Sequence, residues 1–279
     1  MPIPVQTPAD LAPGSDVKEL TAHRHHQLVD LSELWRYREL LWFLALRDIQ
    51  VRYKQTALGA LWAMIQPLAM MVVLSYVLRR FLGQAELADP IFLYAGLLPW
   101  TFFATAVTAS ASSLVVNADM LRKIYFPRLL VPLASVGAPL VDFAVAFAVL
   151  GGLMLWFGVA PGWSILLLPL LLISAIIAAL ALGVLMSALS VTYRDFRYVV
   201  PFLVSIGYFL SGTMFDVEQA HWLFHLNPIS GVIAGFRAAV LDTGFPWLAW
   251  GISTISGVFW LLVGLAYFAG AQRRFADVV

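Results

Sequence analysis

The sequence contains no cysteine, and charged residues make up only 12% of it. The first absence excludes disulfide bonds and thiolate metal sites. The second separates the chain from soluble domains, in which about a quarter of the residues are charged. The sequence is also 61% hydrophobic, and its apolar residues are gathered in long blocks. This distribution predicts an all-α membrane protein with several transmembrane helices.

Motifs for nucleotide binding and catalysis are also missing. There is no G-x-x-x-x-G-K-[ST] loop, because none of the lysines follows a glycine. No H-E-x-x-H motif occurs, and no histidine falls within a predicted span. The chain therefore offers no ATPase site of its own, and an intramembrane enzyme is disfavoured. We expect no catalytic residue, no metal site, no directly bound cofactor and no nucleic-acid partner.

Six apolar stretches are predicted as transmembrane spans. They lie at about residues 57–78, 91–116, 130–158, 164–190, 199–215 and 247–270. With a cytoplasmic amino end, 14 of the 17 basic residues fall in cytoplasmic segments, and only Arg79, Arg80 and Arg237 lie outside. Because Lys and Arg are enriched in cytoplasmic loops, this bias predicts that both termini are cytoplasmic.

The amino-terminal segment, residues 1–30, is polar and contains four prolines. This composition predicts a flexible cytoplasmic arm. His23, His25 and His26 are candidate metal ligands, but no second group of ligands lies near them in the sequence. We therefore interpret them as part of a solvated tail.

Residues 31–47 are predicted to form an amphipathic interface helix. Its apolar face contains Leu31, Leu34, Trp35, Leu41, Trp42 and Ala45, and the opposite face contains Glu33, Arg36, Glu39 and Arg47. Arg38 falls on the apolar face, from which a long side chain can reach the lipid headgroups. The two tryptophans favour a helix that lies on the inner membrane surface. The alternative is a soluble helix packed on a partner domain.

The segment from 216 to 246 is partly apolar, and Asn227–Pro228 divides it. The two runs, Val217–Leu226 and Ile229–Leu241, are each too short for a span, which needs about 20 residues. We predict a short re-entrant pair of helices at the outer leaflet. Backbone at that depth must be shielded by protein, so the pair is expected to help close a cavity.

Asp142 is an acidic residue well inside the third predicted span. A carboxylate at the centre of a transmembrane helix costs about 3 kcal/mol. One interpretation is an ion or substrate relay in a secondary transporter. The other is a structural group that is protonated or hydrogen-bonded to a neighbouring helix. The second is favoured, because the sequence shows no charged partner at similar depth.

Two cytoplasmic loops are candidate docking sites. Residues 117–128 predict a short helix in which apolar side chains stand beside Arg122 and Lys123; these are Met120, Leu121, Ile124, Tyr125 and Phe126. Exposed apolar groups ringed by charge are typical of a docking surface, and the alternative is a turn lying on lipid headgroups. The turn Tyr193–Arg197 is a smaller candidate, in which Asp195 is expected to pair with Arg194 or Arg197.

Aromatic residues in the spans are candidates for a translocation path, where rings can stack on sugars. The candidates are Trp62, Tyr76, Tyr94, Trp100, Phe103, Tyr208 and Phe215. For each ring, packing or lipid contact is the alternative.

Several motifs in order resemble the membrane subunit of ABC-type polysaccharide exporters, which move O-antigen, capsule or teichoic-acid chains. They are residues 47–56 (RDIQVRYKQT), Leu58–Gly59, Leu61–Trp62, Gln66–Pro67, residues 96–100 (GLLPW), residues 123–128 (KIYFPR), residues 193–195 (YRD), and Asn227–Pro228 with Arg237. The resemblance covers about residue 31 to the end. Residues 211–213 (SGT) depart from the Ser-Pro pair usual in that family.

The resemblance implies a homodimer in a bacterial inner membrane, with a pore at the subunit interface lined largely by spans one, two and five. It implies two copies of a separate ATPase that bind ATP and Mg²⁺. Residues 119–126, beginning at Asp119, would be the coupling helix, and residues 31–46 the interface helix that receives the substrate.

The resemblance further implies a glycan on a polyprenyl diphosphate or a related lipid carrier as the substrate. Charge and depth suggest that five basic residues meet its phosphates: Arg36, Arg38, Arg47, Arg52 and Lys54. The outer helical pair would form a gate that includes Asn227, Pro228 and Arg237. The alternative functions are an exporter of the same architecture for a small hydrophobic drug or lipid, and a secondary transporter that uses Asp142.

Overall fold

A computed structural model describes residues 31–54, 59, 61–81, 83, 88–214 and 222–278 of the protein. The predicted arm with its three histidines, and Phe215, lie outside the described residues. Within the described part all regular structure is helical: α1 Leu31–Arg36, α2 Arg38–Tyr53, α3 Leu61–Arg80, α4 Pro90–Val116, α5 Ala118–Lys123, α6 Leu130–Ala134, α7 Gly137–Phe157, α8 Leu168–Thr192, α9 Phe196–Leu210, α10 Ser230–Leu241 and α11 Trp247–Val278. Two 3₁₀ turns, Trp163–Leu167 and Trp222–Leu226, come before α8 and α10.

Five helical segments of the described chain are long and apolar enough to cross a membrane. They are Leu61–Arg80, Pro90–Val116, Leu130–Phe157, Trp163–Thr192 and Trp247–Gln272. Each coincides with one of the predicted spans to within a few residues. The protein is therefore a multi-pass helical membrane protein.

The predicted fifth span, 199–215, corresponds to the shorter helix α9. This helix has 15 residues, or about 22 Å, against an apolar membrane core about 30 Å thick. It ends at Ser211 because Gly212 has a φ of +78°, a left-handed conformation that commonly terminates helices. The six-span topology and the orientation of the termini stay predictions.

The centre of the fold is α4, which packs against α3, α7, α8, α9 and α10. Small residues allow it to approach α8 closely. A Cβ atom added to Gly183 of α8 would lie 2.7 Å from the Cβ of Ser110 in α4. Ala175, Ala178 and Ala179 of α8 have no exposed surface. Close backbone approach through small residues is how transmembrane helices associate, since burial of apolar surface adds little in lipid.

The predicted interface helix, a name that we keep for α1 and α2, is longer than expected and is interrupted once. It is divided at Tyr37 into α1 and α2, and α2 continues to Tyr53 instead of ending at residue 47. Leu34, Leu41 and Ala45 pack on a second hydrophobic core, around the buried Leu44. Trp35 and Trp42 are exposed. The two tryptophans were predicted to share a face with these residues, but they flank the packed face.

The turn Trp222–Leu226 and helix α10 form a hairpin that packs along α11. We call this hairpin, and the end of the fold where it lies, outer after the predicted position. Ser253 of α11 donates a hydrogen bond to the carbonyl of His225, and Ser256 donates to the carbonyl of Leu226. Ser253 also accepts a hydrogen bond from the backbone N–H of Gly231. These serines lie six and nine residues after Trp247, where α11 begins. The tip of the hairpin is thus about 9 to 14 Å along α11. Residues 217–221 of the predicted first run lie outside the described residues, and the re-entrant pair stays a prediction.

Candidate functional site

Helices α4 and α8 end at the same face of the molecule. One span of opposite direction separates them in the sequence, so α4 and α8 run in the same direction. Ser110 of α4 contacts Gly183 of α8; α4 ends 7 residues later at Asn117, and α8 ends 10 residues later at Tyr193. Helix α5 and the turn Tyr193–Arg197 therefore project from one side. We refer to this side, defined by α5 and residues 193–197, as the basic face.

Helix α5 presents a mixed apolar and basic surface on the basic face. Arg122 and Lys123 are exposed, and so are Ile124 at 60% and Tyr125 at 88%. Met120 and Leu121 are partly buried against the second hydrophobic core. Asp119 is exposed in the first turn. Met120, Leu121 and Phe126 correct the prediction of an exposed apolar set, because the first two are partly buried and Phe126 is buried.

The turn Tyr193–Arg197 adds further cations to the basic face. Arg194, Asp195 and Arg197 are all exposed. The predicted local ion pair is wrong: in the described part of the chain, Asp195 forms no ion pair with either arginine. It lies instead immediately before α9, where a negative charge is favourable to the amino end of a helix. Both guanidinium groups stay directed to the surface.

Arg47 connects α2 to the start of α5. Its guanidinium donates to the side-chain oxygen of Asn117 at 2.8 Å and to the sulfur of Met120 at 3.7 Å. It also forms an ion pair with Asp48 at 2.7 Å. Arg47 was predicted as a phosphate ligand, and the structure shows it engaged in holding the interface helix against the basic face. From the sequence Asn117 was a candidate cap of the short helix; its side chain makes no cap hydrogen bond to α5 and accepts from Arg47 instead.

The predicted phosphate ligands do not converge on one point. About 21 Å of helix separates Arg38 from Arg52. Arg36, Arg38 and Lys54 are exposed, and Arg38 lies over the ring of Trp35 at 5.3 Å. Arg52 forms an ion pair with Asp142. One diphosphate can therefore meet the cations at the start or at the end of the interface helix, but not both.

Asp142 has two partners at the end of α2. Its carboxylate pairs with Arg52 and accepts a hydrogen bond from the Tyr53 hydroxyl. The expectation that a neighbouring helix hydrogen-bonds this carboxyl is confirmed, whereas the expectation of no charged partner is wrong, because α2 reaches the third span. Burial, and then the hydrogen bond to the Asp142 carboxylate, raise the pKa of Tyr53 well above its usual value. The phenol therefore stays protonated and donates.

The candidate path aromatics fall into two groups. Trp62 and Tyr76 of α3 are exposed, so they face the outside of the described chain. Tyr94 is completely buried, and its hydroxyl donates to the carbonyl of Ala146. This ring lies inside the helix bundle and not on any surface of the chain.

Trp100, Phe103 and Tyr208 are also mostly buried. Trp100 contacts the rings of Phe103 and Tyr208, with centroids 5.5 and 5.8 Å apart. Trp100 and Phe103 line an apolar cavity of about 120 Å³ that also contacts Gly207 and Asn227. The ring contacts therefore connect α4 with α9, and the cavity beside them extends to Asn227.

Arg237 is buried at the outer end of the fold, only 5% exposed. Its guanidinium donates to the carbonyls of Gly212 at 2.7 Å, Thr213 at 2.5 Å and Phe92 at 3.2 Å, and its Cζ lies 3.8 Å from the ring centre of Phe92. Asn227 donates to the carbonyl of Leu210. Pro228 is buried beside it. Together these contacts join α10 to the end of α9 and to the start of α4.

Comparison with known proteins identifies what this arrangement resembles. Residues 39–241 match the family model described as ABC-2 type transporter. The chain is 28% identical to the O-antigen export system permease protein RfbA of Myxococcus xanthus over 220 residues, which cover 77% of this chain and 85% of the relative. It is 26% identical to RfbA of Klebsiella pneumoniae over 246 residues, covering 86% and 95%. It is 28% identical to the polysialic acid transport protein KpsM of Escherichia coli over 211 residues, covering 71% and 80%.

Proposed function

This chain belongs to the ABC-2 type transporter family, and from that premise we propose that it is the transmembrane subunit of an ATP-driven exporter of lipid-linked polysaccharide. The names of relatives that export O-antigen or transport polysialic acid support a polysaccharide cargo. We place the protein in a bacterial inner membrane with both termini in the cytoplasm, because that orientation puts most basic residues inside.

Energy would come from two copies of a separate ATPase that bind ATP and Mg²⁺ and dock on the basic face. The observation that carries this proposal is the surface formed by the end of α5 and the two residues after it, where Ile124 and Tyr125 are exposed next to Arg122 and Lys123. Large apolar side chains at the centre of a charged patch are typical of protein interfaces. Arg194 and Arg197 would form the edge of this interface.

The pore would form between two copies of the chain. Helices α3 and α9 carry exposed apolar side chains that the chain itself does not cover, among them Trp62 and Tyr76 of α3 and Phe202 and Phe209 of α9. A second copy or lipid must cover such surfaces. Of the candidate path aromatics that the structure describes, Trp62 and Tyr76 are the two that a translocating glycan could reach without rearrangement of the bundle.

Reversing the charge of the proposed docking surface should uncouple the ATPase. In Arg122→Glu/Lys123→Glu, we expect at least a tenfold loss of ATPase co-purified with the membrane subunit. The new carboxylates would face an ATPase surface that is complementary to positive charge, so the two surfaces would repel each other. The measurement is the ratio of the two subunits after affinity purification in detergent.

A matched control is Arg79→Glu/Arg80→Glu, which makes the same charge change on exposed residues at the far end of α3. It should leave the subunit ratio unchanged. Equal amounts of ATPase bound to the α5 variant and to the unaltered protein would refute docking through this surface.

The cargo can be tested directly. The subunit is reconstituted in vesicles with its partner ATPase, and ATP hydrolysis is measured with a polyprenyl-diphosphate-linked glycan or with small hydrophobic compounds. We expect several-fold stimulation by the glycan lipid alone. Stimulation by the hydrophobic compounds instead would establish the alternative, an exporter for a drug or lipid.

A secondary transporter that uses Asp142 remains the alternative from another class, since the structure does supply this carboxylate with a charged partner. An ATPase-inactive partner subunit separates the two functions. Loss of export with that subunit supports the proposal. Export that continues without ATP hydrolysis but stops in Asp142→Asn would support the secondary transporter.

A further inference from the structure

The ion pair between Arg52 and Asp142 is unequally exposed. The side chain of Arg52 is 40% exposed, whereas that of Asp142 is 17% exposed. The guanidinium can thus be reached from outside the bundle, while the carboxylate is enclosed. One carboxylate oxygen pairs with Arg52, and the other accepts the hydrogen bond from Tyr53.

Enclosure makes this carboxylate unusual in a transmembrane helix. It lies in a segment that otherwise consists of apolar residues from Pro139 to Leu150, where an isolated carboxylate is unfavourable. The ion pair and the phenol together compensate for that cost. The carboxylate of Asp142 also accepts from the guanidinium of Arg52. The planar N–H donors of a guanidinium fit a phosphate as well as they fit a carboxylate.

We propose that Asp142 takes the place of the substrate phosphate while the site is empty, and that it releases Arg52 when the diphosphate of a lipid-linked glycan arrives. This inference rests on the proposed function. A diphosphate carries more negative charge than one carboxylate and binds a guanidinium with two parallel hydrogen bonds, so it can compete for Arg52. Lys54, exposed two residues further on, adds a second cation.

The exchange also accounts for release of the substrate. Once Arg52 has turned to the diphosphate, Asp142 keeps only the hydrogen bond from Tyr53. A carboxylate without its cation inside the membrane is unfavourable, so return of Arg52 is favoured. An exporter must bind and release its cargo in every cycle, and an internal competitor keeps the binding weak enough for release.

Two variants should change substrate binding in opposite directions. Asp142→Asn removes the competitor but still accepts from Tyr53, so the concentration of polyprenyl diphosphate that half-saturates ATP hydrolysis should fall about tenfold, which corresponds to roughly 1.4 kcal/mol. Its maximal rate of hydrolysis should also fall, because release is slower. Tyr53→Phe makes the released carboxylate less favourable, so its half-saturating concentration should rise. Asp142→Glu should stay close to the unaltered protein.

The experiment uses the complete complex with its ATPase, in nanodiscs of fixed phosphatidylglycerol content, titrated with undecaprenyl diphosphate. Unchanged or raised half-saturation in Asp142→Asn, with a normal yield of folded complex, would overturn the exchange and leave the proposed function intact. If Asp142→Asn does not assemble, an unchanged or lowered value for Tyr53→Phe overturns it. An unaltered complex that ignores undecaprenyl diphosphate, or responds equally to added phosphatidylglycerol, would overturn both proposals.

Discussion

Replacing Arg237 with methionine should greatly reduce the amount of folded protein. The guanidinium supplies donors to the carbonyls of Phe92, Gly212 and Thr213 in a buried environment, and hydrogen bonds to charged groups contribute about 1.5–3 kcal/mol each. Methionine fills similar space but leaves all three carbonyls without this donor. We expect a loss of roughly 3 kcal/mol or more in stability, measured as a lower unfolding temperature and a smaller monodisperse fraction in detergent.

Two comparisons make this result specific. Arg79→Met removes the same charge from an exposed position and should leave the unfolding temperature unchanged. Arg237→Lys retains the charge but not the planar set of donors, so it should lie between the methionine variant and the unaltered protein. A methionine variant as stable as the Arg79 control would show that Arg237 does not hold the outer end together.

The departure from the family pattern at residues 211–213 is explained by the same cluster. Gly212 has a φ of +78°, whereas proline is fixed near −65°. Its carbonyl accepts from Arg237 in this conformation. A proline could not occupy this position without moving the carbonyl. The sequence showed the departure but could not show its reason, because the partner lies 25 residues away in α10.

The membrane spans could be predicted well because long apolar runs are a local signal. The bounds of α4 and of Leu130–Phe157 were correct to within one residue. The end of α9 was placed too late, at residue 215, because Ser211 and Gly212 do not interrupt an apolar run strongly. The bend at Tyr37 was also missed. No proline or glycine marks it in the sequence.

The candidate site was predicted less completely, because its contacts join distant segments. Charge and exposure identified Arg122, Lys123 and Tyr125 on the basic face. Composition could not show that Arg47 contacts Asn117, 70 residues away, or that Arg52 contacts Asp142, 90 residues away. The one feature of the sequence that pointed to such a contact was the carboxylate of Asp142, since a charge inside a span requires a partner.

Replacing Gly231 with valine should detach the outer hairpin from α11. A Cβ atom at this position would lie 2.2 Å from the carbonyl oxygen of Ala249 and 2.7 Å from the hydroxyl of Ser253. The backbone of α11 cannot move aside, so α10 must shift and the hydrogen bond from Gly231 to Ser253 is lost. We expect export to fall at least tenfold if the hairpin is the gate that the family resemblance implies, together with a lower unfolding temperature.

The matched control is Gly251→Val in α11, where an added Cβ meets no atom within 4 Å. It introduces the same side chain close to the same interface and should keep nearly normal export and stability. Protection of the hairpin can be followed by the labelling of single cysteines, which the natural sequence lacks. A cysteine at Val232, which is completely buried in α10, should react faster with a membrane-impermeant maleimide in the Gly231 variant than in the control. Equal labelling rates would mean that the hairpin stays seated on α11 despite the collision, and the contact with Ser253 would then not be what holds it.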